Sequence, residues 1–200
     1  MSRDRPFLIG LTGNIATGKS ALAQMLHALG ARTIDADKVA HQVMAPGGPA
    51  YAGVLRAFGS QVVADDATID RGKLADIVFR DPDALHRLEA IVHPPTVAEV
   101  ERRIAEATAP VVVVEAIKLV EAGMHRIYDE LWVVTAPRQL QIERLMRQRG
   151  MSKAEARRRV DAQPPQEEKV ALADRVFVND GDLEDLRQEV VSAWREITPV

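Results

Sequence analysis

The sequence has no cysteine, and with it go a disulfide framework, a thiolate metal site and a cysteine nucleophile. Long apolar runs are missing as well. No stretch approaches the roughly 18 residues of a membrane span, and the first apolar run, Phe7 to Thr12, is too short for the core of a secretion signal before it meets glycine and lysine. The expectation is a cytoplasmic protein with no membrane partner. Charge of one sign is also scarce: the formal net charge is −3, so no sequence-wide basic field argues for nucleic acid as a partner. An anionic ligand has to be met by local groups. Internal repeats, low-complexity tracts and an obvious domain linker are absent too.

What is present is a 46% hydrophobic chain of 200 residues, enough for one compact domain with a smaller insertion and too little for two independent domains. Phe7 to Thr12 reads as a buried parallel strand. From Lys19 to Leu29 the apolar residues recur at helical spacing, and Gly30 supplies the stop. A second strand fits Ala31 to Ile34, ending at Asp35. Between Asp37 and Phe79 the pattern is broken into small helices, with turns at Pro46-Gly47-Gly48-Pro49 and around Asp65-Asp66. Leu85 to Val92 and Thr96 to Ala107 read as two helices, because Pro94-Pro95 should force a break between them. Val111 to Val114 is the strongest strand signal, since β-branched residues suit a central strand buried on both faces. Leu131 to Val134 and Val176 to Val178 are further strands, with helices at Pro137 to Arg149, Lys153 to Ala162 and Leu183 to Trp194. The alternation predicts an α/β fold with a parallel sheet of about five strands covered on both faces.

Gly13-Asn14-Ile15-Ala16-Thr17-Gly18-Lys19-Ser20 matches G-x-x-x-x-G-K-[ST] and lies between a strand and a helix, where the phosphate-binding mechanism needs it. Glycines at both ends let successive N–H groups converge on phosphate oxygens, and the helix that starts here adds the partial positive charge of its N-terminus. Residues Gly13 to Ser20 with Ala21 are thus expected to cradle ATP, Lys19 reaching the β- and γ-phosphates and Ser20 ligating Mg²⁺. The valine strand ends in Glu115, the form of a Walker B strand, which makes Glu115 a second Mg²⁺ ligand or an ordinary strand-end acid. No N/T-K-x-D guanine-reading motif occurs, which turns the reading from a GTP-driven switch to a small phosphotransferase.

Four further segments stand in a fixed order around the loop. They are Ile9-Gly10-Leu11-Thr12-Gly13, Asp35-Ala36-Asp37 with Ala40-His41, Leu88-Glu89-Ala90-Ile91-Val92-His93-Pro94, and Ala173-Asp174-Arg175-Val176 with Asn179. Together they resemble the dephospho-coenzyme A kinases over almost the whole chain. The resemblance implies a three-layer P-loop NTPase fold in one domain, with a helical substrate-side insertion at about 37–108 and a helical lid at about 138–165. It implies transfer of phosphate from ATP to the ribose 3′-hydroxyl of dephospho-CoA, giving CoA and ADP, as the last step of CoA biosynthesis.

In that pattern Asp37 is the acceptor-side base, with helix capping as its alternative role. Arg149 is the lid arginine that approaches the phosphates, and a guanidinium suits spread phosphoryl charge. The other arginines, from Arg138 through Arg159, read as solvated helix faces. Asn179 borders the adenine pocket or ends its strand, and Thr12, Asp35, His93 and Lys118 face the acceptor. His93 serves equally well as a structural hydrogen-bonding group at the helix break. The segment Glu115-Ala116-Ile117-Lys118-Leu119-Val120-Glu121 departs from the family's usual aspartate and Pro-Leu-Leu, and Asn14 and Ala16-Thr17 stand where glycines and a serine are usual. Two other readings stay open: a small P-loop kinase with a nucleoside, nucleotide or sugar-acid acceptor, and a nucleotide-binding module without transfer.

Overall fold

The computed structural model describes residues 5–198. The chain divides into two compact units, one made of the residues up to Asp35 and those from Ala107 onward, the other of Ala36–Glu106.

The first unit is built on a five-stranded, all-parallel sheet. Its strands are β1 (Phe7–Thr12), β2 (Arg32–Asp35), β3 (Val111–Glu115), β4 (Glu130–Thr135) and β5 (Arg175–Val178), in the spatial order β2-β3-β1-β4-β5. The valines of β3 are fully enclosed, as a strand flanked on both sides and covered on both faces requires. One alternating set of side chains, Phe7, Ile9, Leu11, Val111, Val113, Trp132, Val134 and Phe177, packs with Leu22 and Leu26 of α1 (Lys19–Ala28). Leu186 and Val190 of the C-terminal helix, Leu183–Ile197, complete that cluster. The opposite set, Val112, Val114, Leu131 and Val133, is buried too. On that side Gly10 leaves room for the Tyr128 ring to lie directly against β1, where any Cβ would collide with it. The α1 helix ends as its sequence predicts, with Gly30 at φ 107° just past the cap.

The second unit is helical: α2 (Ala36–Val43), α3 (Tyr51–Phe58), α4 (Arg71–Val78) and α5 (Pro82–Ala105). The local signals are explicit. The Asp70 side chain accepts from the Gly72 and Lys73 amides at the start of α4, and Asp81 with Pro82 at the first helical position opens α5. The expected break at Pro94-Pro95 is absent, because α5 runs through both prolines for 24 residues. Two ladder donors are lost, at a cost of about 3 kcal/mol for an interior proline. Several features offset it. Thr96 Oγ1 donates to the Val92 carbonyl at 2.7 Å, and Ala90, whose carbonyl loses the Pro94 partner, is exposed to solvent. The helix also packs along its length against α2, α3 and α4, burying Ala84, Val92 and Val100. Tertiary packing overrides the local preference at His93 and Pro94.

At the sheet edge, the Glu130 carboxylate accepts from the buried Trp132 indole at 2.6 Å and from Arg175 Nε at 2.8 Å, while Arg175 also lies 5.8 Å from the Trp132 ring. Partial burial pushes Glu130 upward, but the bonds from Arg175 and Trp132 outweigh it and hold the carboxyl below its usual range. A depressed folded-state value stabilises the fold above the unfolded value of about 4.3, and the contribution fades as pH falls through the folded value. Glu130→Gln should therefore lower unfolding free energy by roughly 1–2 kcal/mol at pH 7. Denaturant titrations at several pH values should show that difference shrinking below about pH 4.

Candidate active site

The P-loop leaves the carboxyl end of β1, the central strand, where ligands of open α/β sheets collect. Gly13 sits so close to the Val134 carbonyl that a Cβ could not be accommodated. Within the loop, Thr17 Oγ1 donates to the Asn14 carbonyl at 2.9 Å. Ala16 and Gly18 take left-handed backbone conformations, φ 59° and 105°. Only Gly18 does so without side-chain strain, and the space its missing Cβ would fill holds the Asn179 carboxamide. The loop closes into α1, within whose first turn the Ala21 and Leu22 amides bond back to the Gly18 carbonyl.

Four residues from distant parts of the chain brace this loop. Asn179, just past β5 and buried, donates from Nδ2 to the Thr17 carbonyl at 2.8 Å. Arg144 donates to the carbonyls of Ala16 and Thr17 at 3.3 and 3.2 Å, and its other nitrogen donates to Asn179 O and Oδ1 at 3.1 and 2.9 Å. Burial and the neighbouring Arg147 press this guanidinium below its ordinary value, yet it remains charged at any physiological pH. Gln163 Oε1 accepts from the Ile15 amide at 2.7 Å, and the Pro164 carbonyl accepts from Asn14 Nδ2 at 2.9 Å. The α6 helix (Arg138–Arg149) and α7 (Lys153–Asp161) add an apolar cluster of Ile142, Leu145 and Ala156 against which Ile15 and Ala16 pack.

The charged centre is a pair. Lys19 Nζ donates to Glu115 Oε2 at 2.8 Å, with both side chains about nine-tenths buried. Glu115 ends β3 in register with Leu11 on one side and Asp35 of β2 on the other, so two carboxylates share the strand ends beside the P-loop. Ser20 is exposed on the first turn of α1. Among the described residues no cluster of three or more acidic or histidine side chains could cage a metal. One carboxylate and one hydroxyl suit Mg²⁺, which takes its remaining ligands from water and phosphate.

Thr12 is fully buried, its hydroxyl donating to the Ile117 carbonyl at 3.1 Å, a bond that ties backbone. Lys118 lies in the turn after β3 and Arg149 is exposed on the last residue of α6. Asp37 is half-buried in the first turn of α2, and His93 is exposed inside the continuous α5. There is thus no helix break for His93 to serve. Arg138 pairs with Asp161 through two hydrogen bonds of 2.8 and 2.7 Å, joining α6 to α7, and Arg159 pairs with Glu155, which fits the solvated reading of those arginines. Arg144 does not fit it. Its position beside the buried stripe Gln141, Ile142 and Leu145 is the one signal that could have marked it. Nothing in the run Gln163-Pro164-Pro165 marks Gln163.

A family model described as dephospho-CoA kinase matches residues 7–185 of this chain. The chain belongs to the dephospho-CoA kinase family. A dephospho-CoA kinase of Geobacter metallireducens is 44% identical over 192 residues, covering 94% of this chain and 96% of that protein. Among solved structures, a Thermus thermophilus protein superposes with a TM-score of 0.86 at 34% identity, covering 98% of this chain and 100% of the other. The dephospho-CoA kinase of Campylobacter jejuni does so with 0.69 at 29%, covering 95% and 96%. Family membership makes the chain a kinase, a phosphotransferase with a nucleotide-binding P-loop.

The bracing network yields a prediction for this member. Arg144→Ala should weaken ADP binding by roughly tenfold or more by calorimetry, since it frees several carbonyl partners at once. Arg144→Lys should not restore it, because an ammonium lacks the planar fork. Unchanged affinity in Arg144→Ala would show that the loop holds its shape without the guanidinium.

Proposed function

We propose that the chain transfers the γ-phosphoryl group of ATP to the ribose 3′-hydroxyl of dephospho-CoA, giving CoA and ADP. The observation that carries this reading is the braced P-loop with its buried Lys19–Glu115 pair in a chain that follows its dephospho-CoA kinase relatives nearly from end to end. We assign the enzyme to the cytoplasm on the same family reading, with the two small molecules as its partners.

In this reading residues 37–108 form the acceptor-side insertion and residues 138–165 the lid. The loop amides and the N-terminus of α1 meet the phosphate oxygens, and the Lys19 ammonium balances the β- and γ-phosphate charge. Ser20 and Glu115 would hold Mg²⁺, which when bound neutralises developing charge on the phosphates. Asp37 accepts a hydrogen bond from the 3′-hydroxyl and takes its proton as the new O–P bond forms; the bond from the γ-phosphorus to the β–γ bridging oxygen breaks, and ADP leaves. An ordinary carboxylate is basic enough, because in a loose transition state the proton leaves late. Arg149 donates to the transferring phosphoryl oxygens, Asn179 borders the adenine side of the loop, and Asp35, His93 and Lys118 contribute to acceptor binding.

A panel of acceptors incubated with Mg-ATP, with ADP release followed by a coupled assay, tests the assignment. Turnover is expected with dephospho-CoA and not with nucleosides, nucleoside monophosphates or sugar acids; transfer only to one of the latter would overturn it. Asp37→Asn should lower kcat by about 10²-fold or more while ATP affinity stays intact, the size expected for loss of a general base. Near-normal turnover in that variant would remove Asp37 from the chemistry.

A further inference from the structure

Lys169 is among the most deeply buried side chains of the protein, with 2% of its side chain exposed, and the chemistry above does not use it. It lies in a short helix, α8 (Gln166–Val170). Its ammonium donates to the Ile117 carbonyl at 3.1 Å and pairs with Glu121 Oε1. Burying an ammonium is costly unless its partners are fixed, so the placement calls for a reason.

The partner carbonyl supplies one. Ile117 lies two residues past Glu115, and its carbonyl also accepts the Thr12 hydroxyl at 3.1 Å. Thr12 is the residue immediately before the P-loop. The intervening Ala116 amide donates to the Leu11 carbonyl at 3.1 Å. The Ile117 carbonyl is therefore a joint between the strand that leads into the P-loop and the strand that ends in the acid paired with Lys19. Lys169 holds that joint from outside the sheet.

The segment before Lys169 holds other points of the same region. Gln163 accepts from the Ile15 amide at 2.7 Å. The Gln166 side chain spans the Ala136 backbone, accepting from its amide at 3.1 Å and donating to its carbonyl at 3.0 Å. Residues 163–169 thus form a strap with contacts to the P-loop, the end of β4 and the turn after β3. Its first contact bears on nucleotide and its last on the position of Glu115.

We propose that Lys169 is a positioning residue for phosphoryl transfer, fixing the turn after β3 so that Glu115 keeps its place opposite Lys19. The proposal rests on the kinase reading only for its kinetic consequence; the positioning itself is measurable without turnover. Loss of Lys169 should act on the chemical step more than on nucleotide capture, because the P-loop braces from Arg144, Asn179 and Gln163 stay in place.

The test compares Lys169→Met, which keeps the length and apolar stem, with Lys169→Arg, which keeps the charge and donors. Lys169→Met should lower kcat at least tenfold with ADP affinity within about threefold of wild type, and Lys169→Arg should recover most of the loss. Amide hydrogen exchange should be faster in Lys169→Met at Ala116 and in the turn amides Ala122 and Gly123, which bond to the Lys118 and Val120 carbonyls, and unchanged in α1. Should Lys169→Met fail to fold, Glu121→Ala removes the other half of the pair from its more exposed end and should give the same exchange pattern and a lower kcat. Wild-type kcat with unaltered exchange in the turn would overturn the proposal, as would equal loss in Lys169→Met and Lys169→Arg with no local change in exchange. A wild-type enzyme inactive on dephospho-CoA would sink the function above, and the exchange comparison would still decide for or against Lys169.

Discussion

The Asn179 carboxamide occupies the space that a side chain at Gly18 would need, and the phosphate-binding loop depends on that close approach. Backbone amides bind phosphate well only if they already converge, because ordering them at the moment of binding would consume affinity. The loop itself contains few internal bonds to enforce convergence. Its shape comes from a residue past the last strand, 162 positions from Thr17 in sequence, and from a helix residue, Arg144, that grips the Thr17 carbonyl as well and that of Ala16 beside it. The nucleotide site is consequently a property of the finished sheet, since β5 has to be in place before Asn179 can reach Thr17.

The same brace accounts for an alanine in a left-handed conformation. Ala16 at φ 59° carries a strain of about 1 kcal/mol that glycine would not. Arg144 donates to its carbonyl and the α6–α7 cluster packs on its side chain, so the surroundings over-determine the conformation. Charge is handled in a comparable way. Lys19 and Glu115 are each too buried to stand alone, and at 2.8 Å each answers the other's desolvation. Glu115 is one methylene longer than the aspartate usual at this point of the family, and it still reaches the lysine from the end of β3.

Much of this architecture was legible in the chain. Val111 to Val114 could hardly be other than a central strand, and the loop motif between a strand and a helix announced phosphate binding. The prolines at 94 and 95 misled because the rule for them is local, whereas α5 is held by three neighbouring helices. Arg144, Gln163 and Lys169 went unmarked for a shared reason: each one's partners include backbone carbonyls or amides, and backbone has no sequence signature; only the buried stripe beside Arg144 hinted at its role. Asn179 was visible as a residue that borders the adenine pocket or ends its strand, but not as a brace of the loop, since its contact with Gly18 is made by the fold. Asp37 and Arg149 were singled out by family pattern, and that pattern is still what supports their roles.

The braced loop is expected to deliver a phosphoryl group to one hydroxyl of one acceptor. Phosphorus NMR of the product formed from dephospho-CoA and Mg-ATP tests it most directly. A single new phosphomonoester resonance coupled to the ribose H3′ proton, appearing in step with ADP, is the expected result. A monoester at any other position, or ADP released with inorganic phosphate and unmodified dephospho-CoA, would contradict it.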